Sequence, residues 1–249
     1  MEPVIGTVHI VGAGPGDAGL LTVRAVDLIR KADVILYDRL VNKEILEYAQ
    51  AASHKIYVGR SVGDDTTHQN STNQLMTHYA KSGMDVVRLK GGDPTIFGRG
   101  GEEAIHLRKN GIPYDIVPGI TSGLGSATYS GIPLTHRGYS SSVAFVTGHE
   151  DPTKGTESVD WQRLAGSVDT IVVMMGLSRI EDICSQLIKG GMDEDTPVAV
   201  VQDGTTPRHR IITGSLASIA GLVRGSDVSP PINIIIGRVV ELSKEMGWR

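Results

Sequence analysis

The sequence predicts an α/β protein. Short apolar strands alternate with helix-length amphipathic segments, and several strands end at glycine. Glycine supplies 31 of the 249 residues while aromatics make up only 4%, which suits many tight strand-to-helix turns. The first strand is read at residues 7–11, an apolar run ending at Gly12. A helix over 20–31 follows, with Leu21, Ala25, Leu28 and Ile29 on one face. Strands at 33–37, 55–58, 85–89 and 114–117 are expected, with helices at 43–50, 69–81 and 101–110 between them. Pro118-Gly119-Ile120-Thr121 is a breaker cluster, so two domains are expected, 1–117 and 118–249. The second opens with a small-residue helix at 121–130. Strands at 142–147, 169–174, 197–201, 208–213 and 232–236 come after it, with a helix at 216–223. The last three strands lie close together, which implies a partly antiparallel sheet. Residues 151–160, polar and rich in Gly and Thr, read as an exposed loop.

Composition excludes several function classes. The net charge of −4 and the pI near 6.1 give no bulk basic field for nucleic acid or a membrane surface. Few aromatics also disfavour base stacking. Cys184 is the single cysteine, so neither an intrachain disulfide nor a cysteine-based zinc site is expected. The eight histidines are dispersed, and no metal site is expected. The start, Met1-Glu2-Pro3, lacks the pattern of a signal peptide, and the apolar run at 170–177 is too short to span a bilayer. A cytoplasmic protein is the expectation.

Two glycine loops follow strands. Gly12-Ala13-Gly14-Pro15-Gly16-Asp17 has the order of a dinucleotide fingerprint, but Asp17 stands where the third glycine belongs. Its charge would repel a pyrophosphate, and Pro15 removes a backbone donor. Lys90-Gly91-Gly92-Asp93-Pro94 is the second loop. Two such loops on one sheet should meet at its carboxyl edge, where open α/β sheets bind ligands. Asp93 reads either as a carboxylate facing a sulfonium and its ribose, or as a turn residue capping a helix. Glu102 and Glu103 read as partners of a helix dipole.

The run from Lys90 to Glu103, together with Gly119-Ile120-Thr121, Gly131-Ile132-Pro133-Leu134-Thr135-His136-Arg137 and Val146-Thr147-Gly148-His149, resembles the uroporphyrinogen III C-methyltransferases. The resemblance covers almost the whole chain. It implies the two-domain tetrapyrrole methylase fold, each domain a mixed sheet flanked by helices, with cofactor and substrate in the interdomain cleft, and a homodimer. It implies S-adenosyl-L-methionine as cofactor and uroporphyrinogen III as substrate. Two methylations, at positions 2 and 7, would give precorrin-2 and S-adenosyl-L-homocysteine. Pro15, Gly91, Gly92, Asp93, Ile96, Thr121, Ser122, Met175, Gly204 and Ile232 match the family's cofactor contacts. Asp38 matches its proposed proton acceptor. The family's proposed proton donor is often a lysine after a Val-Gly pair, whereas Val58-Gly59 is followed here by Arg60. Arg is a poor proton donor near neutral pH, so a substrate-carboxylate role is expected for Arg60. The 249 residues are not expected to hold a precorrin-2 dehydrogenase domain.

Methyl transfer from a sulfonium needs positioning rather than a metal, and a carboxylate can take the proton lost after ring methylation. The substrate carries eight carboxylates, which suits the motif cations Arg39, Arg60, Arg99, His136 and Arg137. The alternatives are another precorrin or cobalt-precorrin methyltransferase, diphthine synthase, a nicotinamide-dependent oxidoreductase using the first glycine loop, or a non-catalytic ligand-binding protein.

Overall fold

The computed structural model of the chain describes residues 4–59, 66–149 and 159–248, with residues 66–70 described by their backbone alone. It divides into two compact units, Met1–Thr121 and Ser122–Arg249. The division falls at the end of the breaker cluster rather than at its start.

The first unit is built on β1 (Val8–Gly12), β2 (Val34–Tyr37), β3 (His54–Tyr57), β4 (Val86–Lys90) and β5 (Tyr114–Val117), in the order β3-β2-β4-β1-β5. Every pairing in it is parallel. A mixed sheet was expected in each domain; here each link between consecutive strands is a crossover, and a crossover returns the chain in the same direction. The helical links are α1 (Val23–Lys31), a 3-10 helix (Lys43–Tyr48), α2 (Thr66–Lys81) and α3 (Gly100–Lys109). Both sheet faces are covered, which explains why β1, β2 and β4 are buried almost throughout. Val11, Ile35, Val87 and Leu89 pack on Ala25 and Ile29 of α1. Val8, Ile10, Leu36 and Val86 pack on Met76, Ala80, Ala104 and Leu107 of α2 and α3.

Capping sets the helix starts. Thr22 accepts a hydrogen bond from the Ala25 amide at 3.1 Å, so α1 begins at Val23, three residues after the expected start. Residues 43–50, expected to be α-helical, form the shorter 3-10 turn, opened by Asn42 accepting from the Glu44 amide.

The second unit holds α4 (Ser122–Tyr129) and a sheet of β6 (Val143–Thr147), β7 (Thr170–Met174), β8 (Pro197–Gln202), β9 (Arg210–Ser215) and β10 (Ile232–Ile236). The order is β6-β7-β10-β8-β9. Only β6 and β7 are parallel; β10 runs against β7 and β8, and β8 against β9, the partly antiparallel sheet expected. Helix α4 covers one face through Ala127, which shares a core with Val172, Ala199, Val201 and Ile235. The other face carries α5 (Trp161–Ala165), α6 (Ile180–Lys189) and α7 (Ile219–Arg224). Helices α5 and α6 were not expected, although α6 buries Ile180, Ile183, Cys184 and Leu187 at helical spacing. Among the described residues, no helix is long and apolar enough to cross a membrane.

Candidate active site

In the first sheet, β1 leads through α1 towards β2, and β4 leads through α3 to β5 on the other side. The neighbouring carboxyl ends of β1 and β4 therefore form a topological switch point. The two glycine loops lie there and are bonded together. Ala13 donates to the Lys90 carbonyl at 2.7 Å, and Gly14 and Gly92 exchange backbone hydrogen bonds of 3.2 and 2.8 Å. A third strand end joins them: a Cβ on Gly12 would lie 2.6 Å from the Gly119 Cα. Gly14 and Gly92 both have positive φ, 71° and 69°, which an L side chain resists. The result is a ridge of bare backbone with half-buried Pro15 and Gly91 on it.

Asp93 clamps this ridge. One carboxylate oxygen accepts from the Thr95 amide, the Thr95 hydroxyl and the Ile96 amide at 2.7, 2.6 and 3.2 Å. The other accepts from the Gly119 amide at 3.0 Å. Four donors on a side chain only 8% exposed fill the acceptor capacity of a carboxylate. These contacts cap no helix, because α3 begins only at Gly100 and has no side-chain cap; they tie the Thr95–Ile96 loop to the end of β5. Burial pushes the Asp93 carboxyl up, but the donations from Thr95, Gly119 and Ile96 outweigh it and hold it below the usual 3.8. The folded value lies below the unfolded one, so its stabilisation is complete above about pH 3.8 and is lost as pH falls through the folded value. Asp93→Asn is expected to lower the melting temperature at neutral pH and to flatten its acid dependence below pH 3.8, measured by calorimetry across pH.

Beneath the ridge lies a buried group of charges. Arg88 and Lys90 point to the same face of β4, and α3 delivers Glu103 to both, at 3.1 Å from Arg88 Nε and 2.9 Å from Lys90 Nζ. Their side chains are 7%, 5% and 0% exposed respectively. Arg88 also donates to the backbone carbonyls of Leu36 and Leu89. Asp38, just past the end of β2, stands 3.7 Å from Arg88 and is a quarter exposed. Two cations and two carboxylates thus balance at the sheet edge, with only Asp38 reaching solvent. Burial lowers the Lys90 pKa, reinforced by Arg88 and opposed by Glu103. Glu103 sits in the first turn of α3, as expected of a partner of the helix dipole, and is also the counterion that lets two cations lie inside the unit.

The remaining first-unit residues sit around this edge. Arg39 is exposed beside Asp38. Ile96 and Phe97 expose apolar side chains after Pro94. Arg99 is held by its neighbour Glu102, with bonds of 3.0 Å from Nε and 2.5 Å from an Nη. A substrate carboxylate would have to share or displace that partner. Thr121 ends the unit. Arg60 lies outside the described residues.

In the second unit, the residues expected at the cofactor lie at one sheet edge. Met175 follows β7, Gly204 follows β8, Ile232 begins β10, and Ser122 opens α4. The register brings them together: Asn233 pairs with Met174 on one side and Val201 on the other, while Ile232 pairs with Gln202. Met175, Asp203 and Thr205 all adopt left-handed backbone, with φ of 58°, 48° and 72°. Such conformations cluster where a loop is held for a purpose. Met175 is half exposed, but the Ile232 side chain is buried in the core, so only its backbone faces this edge. His136 and Arg137 are exposed on a separate turn, closed by a bridge between His136 and Ser140.

The model of the family described as Tetrapyrrole (Corrin/Porphyrin) Methylases matches residues 7–220. The chain is a tetrapyrrole methylase. It is 49% identical over 243 residues to a siroheme synthase of Pseudomonas fluorescens and 48% identical over 247 residues to one of Nitrosospira multiformis. These matches cover 98% and 99% of the chain but 52% of each relative, so the chain spans about half the length of the curated relatives it matches. Among solved structures it resembles a uroporphyrin-III C-methyl transferase of Thermus thermophilus complexed with S-adenyl homocysteine, 40% identical with a TM-score of 0.81, covering 95% of this chain and 94% of that one. It also resembles a cobalt precorrin-4 methyltransferase, 27% identical with a TM-score of 0.83, covering 94% and 95%.

Within this tetrapyrrole methylase, the structure brings Pro15, Gly91, Gly92 and Asp93 into one bonded ridge, with Asp38 near it through Arg88. It brings Ser122, Gly204, Ile232 and the backbone before Met175 to one edge of the second sheet. Sequence reasoning missed Arg88, Lys90 and Glu103 as a unit, and it missed Asn233. The signals were present as charged residues inside an apolar strand and one amide in a run of isoleucines.

Proposed function

We propose that this chain is an S-adenosyl-L-methionine-dependent uroporphyrinogen III C-methyltransferase, adding two methyl groups at positions 2 and 7 to give precorrin-2 and S-adenosyl-L-homocysteine. The observation that carries the reading is the Asp38 carboxylate beside the bonded glycine ridge at the sheet's switch point. Likeness to the Thermus thermophilus enzyme, itself complexed with S-adenyl homocysteine, supports it. The ridge fits such a ligand because glycine leaves backbone where side chains would stand, and exposed Ile96 suits apolar ligand surface.

When bound, the sulfonium supplies an electrophilic methyl group. Its carbon–sulfur bond would break as a carbon–carbon bond formed at a pyrrole carbon, the thioether leaving with the electron pair. The chain's residues position and deprotonate. Asp38 takes the proton that the ring loses after methylation. Arg39, Arg99, His136 and Arg137 bind substrate carboxylates, and Arg60 is assigned the same task. Asp93 serves the cofactor by holding the Gly91–Gly92 backbone to Gly119. The acting form is proposed to be a cytoplasmic homodimer.

Anaerobic incubation of the purified chain with S-adenosyl-L-methionine and uroporphyrinogen III, followed by mass analysis of the tetrapyrrole, tests the reading. A gain of two methyl groups is expected. No gain with the cofactor bound would move the substrate to a later corrinoid precursor, and no cofactor binding would overturn the methyltransferase reading.

A further inference from the structure

Strand β10 reads Ile232-Asn233-Ile234-Ile235-Ile236, and every residue in it is buried. Asn233, 5% exposed, is its one polar member. Burying an amide is unfavourable unless it is hydrogen-bonded. Both ends of this amide are bonded to α4: its Nδ2 donates to Ser126 Oγ at 2.9 Å, and its Oδ1 accepts from Ser122 Oγ at 3.3 Å. An apolar side chain would fill the same space without needing partners, so packing alone gives no reason for an amide here.

The amide instead joins the segments at this edge. Ser122 opens α4. Ser126 lies directly under Gly204, where any Cβ would collide with its hydroxyl and backbone. Asn233 itself pairs with Met174, the residue before Met175, and follows Ile232. All four second-unit residues assigned to the cofactor therefore lie next to Asn233 or Ser126, or next to a residue that pairs with them.

We propose that Asn233 is a positioning residue for S-adenosylmethionine, setting the Ser122 hydroxyl, the Gly204 turn and the Met175 backbone in mutual register through its two bonds to α4. This inference rests on the methyltransferase reading.

The test is calorimetric binding of S-adenosylhomocysteine to the full chain and to Asn233→Leu, with thermal melts of both. The variant is expected to melt within about 4 °C of the parent yet bind roughly tenfold more weakly, the scale of one well-placed hydrogen bond. In turnover assays, KM for S-adenosylmethionine is expected to rise more than kcat falls. The double variant Ser126→Ala/Asn233→Leu removes both partners of the shorter bond; it should recover stability but not affinity. Asn233→Ser, too short to reach both serines, serves by the same criteria if the leucine variant does not fold. Unchanged binding in the variants beside a binding parent overturns this inference alone, as does affinity that returns with stability in the double variant. A parent chain that binds no S-adenosylhomocysteine overturns the methyltransferase reading and this inference with it.

Discussion

Asp38→Asn is expected to cut turnover by about 10²–10⁴-fold, the usual contribution of a positioned general base. The substitution keeps the shape of the side chain and removes its ability to take a proton. Asp38 is a quarter exposed and 3.7 Å from Arg88, which keeps its closer partner Glu103 at 3.1 Å. The fold should therefore survive. Its bond to the Leu40 amide can still be made by an asparagine oxygen. Affinity for S-adenosylhomocysteine should be unchanged, because Asp38 is not assigned to the cofactor. Single-turnover kinetics with calorimetric binding on the same preparation checks this, and unchanged turnover would remove Asp38 from the proton-accepting role.

Glu103→Gln acts on stability. It leaves Arg88 and Lys90 inside the first unit without their shared anion, and breaking a buried ion pair on one side costs about 3–5 kcal/mol. Coulomb attraction in the native unit offsets the desolvation of three groups; with Glu103 neutral, the desolvation remains and two cations repel. Both tryptophans, Trp161 and Trp248, lie in the second unit. The expected urea titration therefore shows an early transition by circular dichroism, while tryptophan fluorescence keeps its midpoint. Coincident transitions would mean that the loss spreads through the whole chain. The pH dependence has a definite sign. Burial, then Arg88, set the folded Lys90 pKa below 10.5, so the unfolded chain binds more protons between the two values and stability rises with pH there. Glutamine at 103 removes the larger of the two carboxylate contributions that raise Lys90, Asp38 being the other, so this window should widen downwards.

Much of the fold was legible because its signals are local. Apolar runs ending in glycine located β1 and β4, and two glycine loops after strands of one sheet did meet at its carboxyl edge. Close spacing of the last strands foretold their antiparallel pairing. Helix α6 was equally legible from Ile180, Ile183, Cys184 and Leu187 but was overlooked. The 3-10 turn at Lys43–Tyr48 was not, since an α-helix and a 3-10 helix share the same cues over so short a span. Side-chain roles were harder to read because they depend on partners distant in sequence. Asp93 reads as a ligand group or a helix cap, and neither reading contains the Gly119 amide, 26 residues on, that its second oxygen accepts from. Arg88 and Lys90 look like surface charges until α3 returns Glu103 to them. Asn233 gains its meaning from serines more than 100 residues earlier.

Among the described residues, five that are not glycine hold left-handed backbone: Phe97, Arg99, Met175, Asp203 and Thr205. Each such position costs roughly 1–2 kcal/mol that glycine would avoid, set against about 0.5–1 kcal/mol of extra chain entropy for glycine. Selection for heat resistance alone would therefore drift towards glycine at these sites. It would erase the Arg99 guanidinium, the exposed Phe97 ring and the Met175 thioether in doing so. A thermostabilised lineage of this chain and a working one would part company first at these five positions, and a consensus drawn from stability screens would be the wrong guide to them.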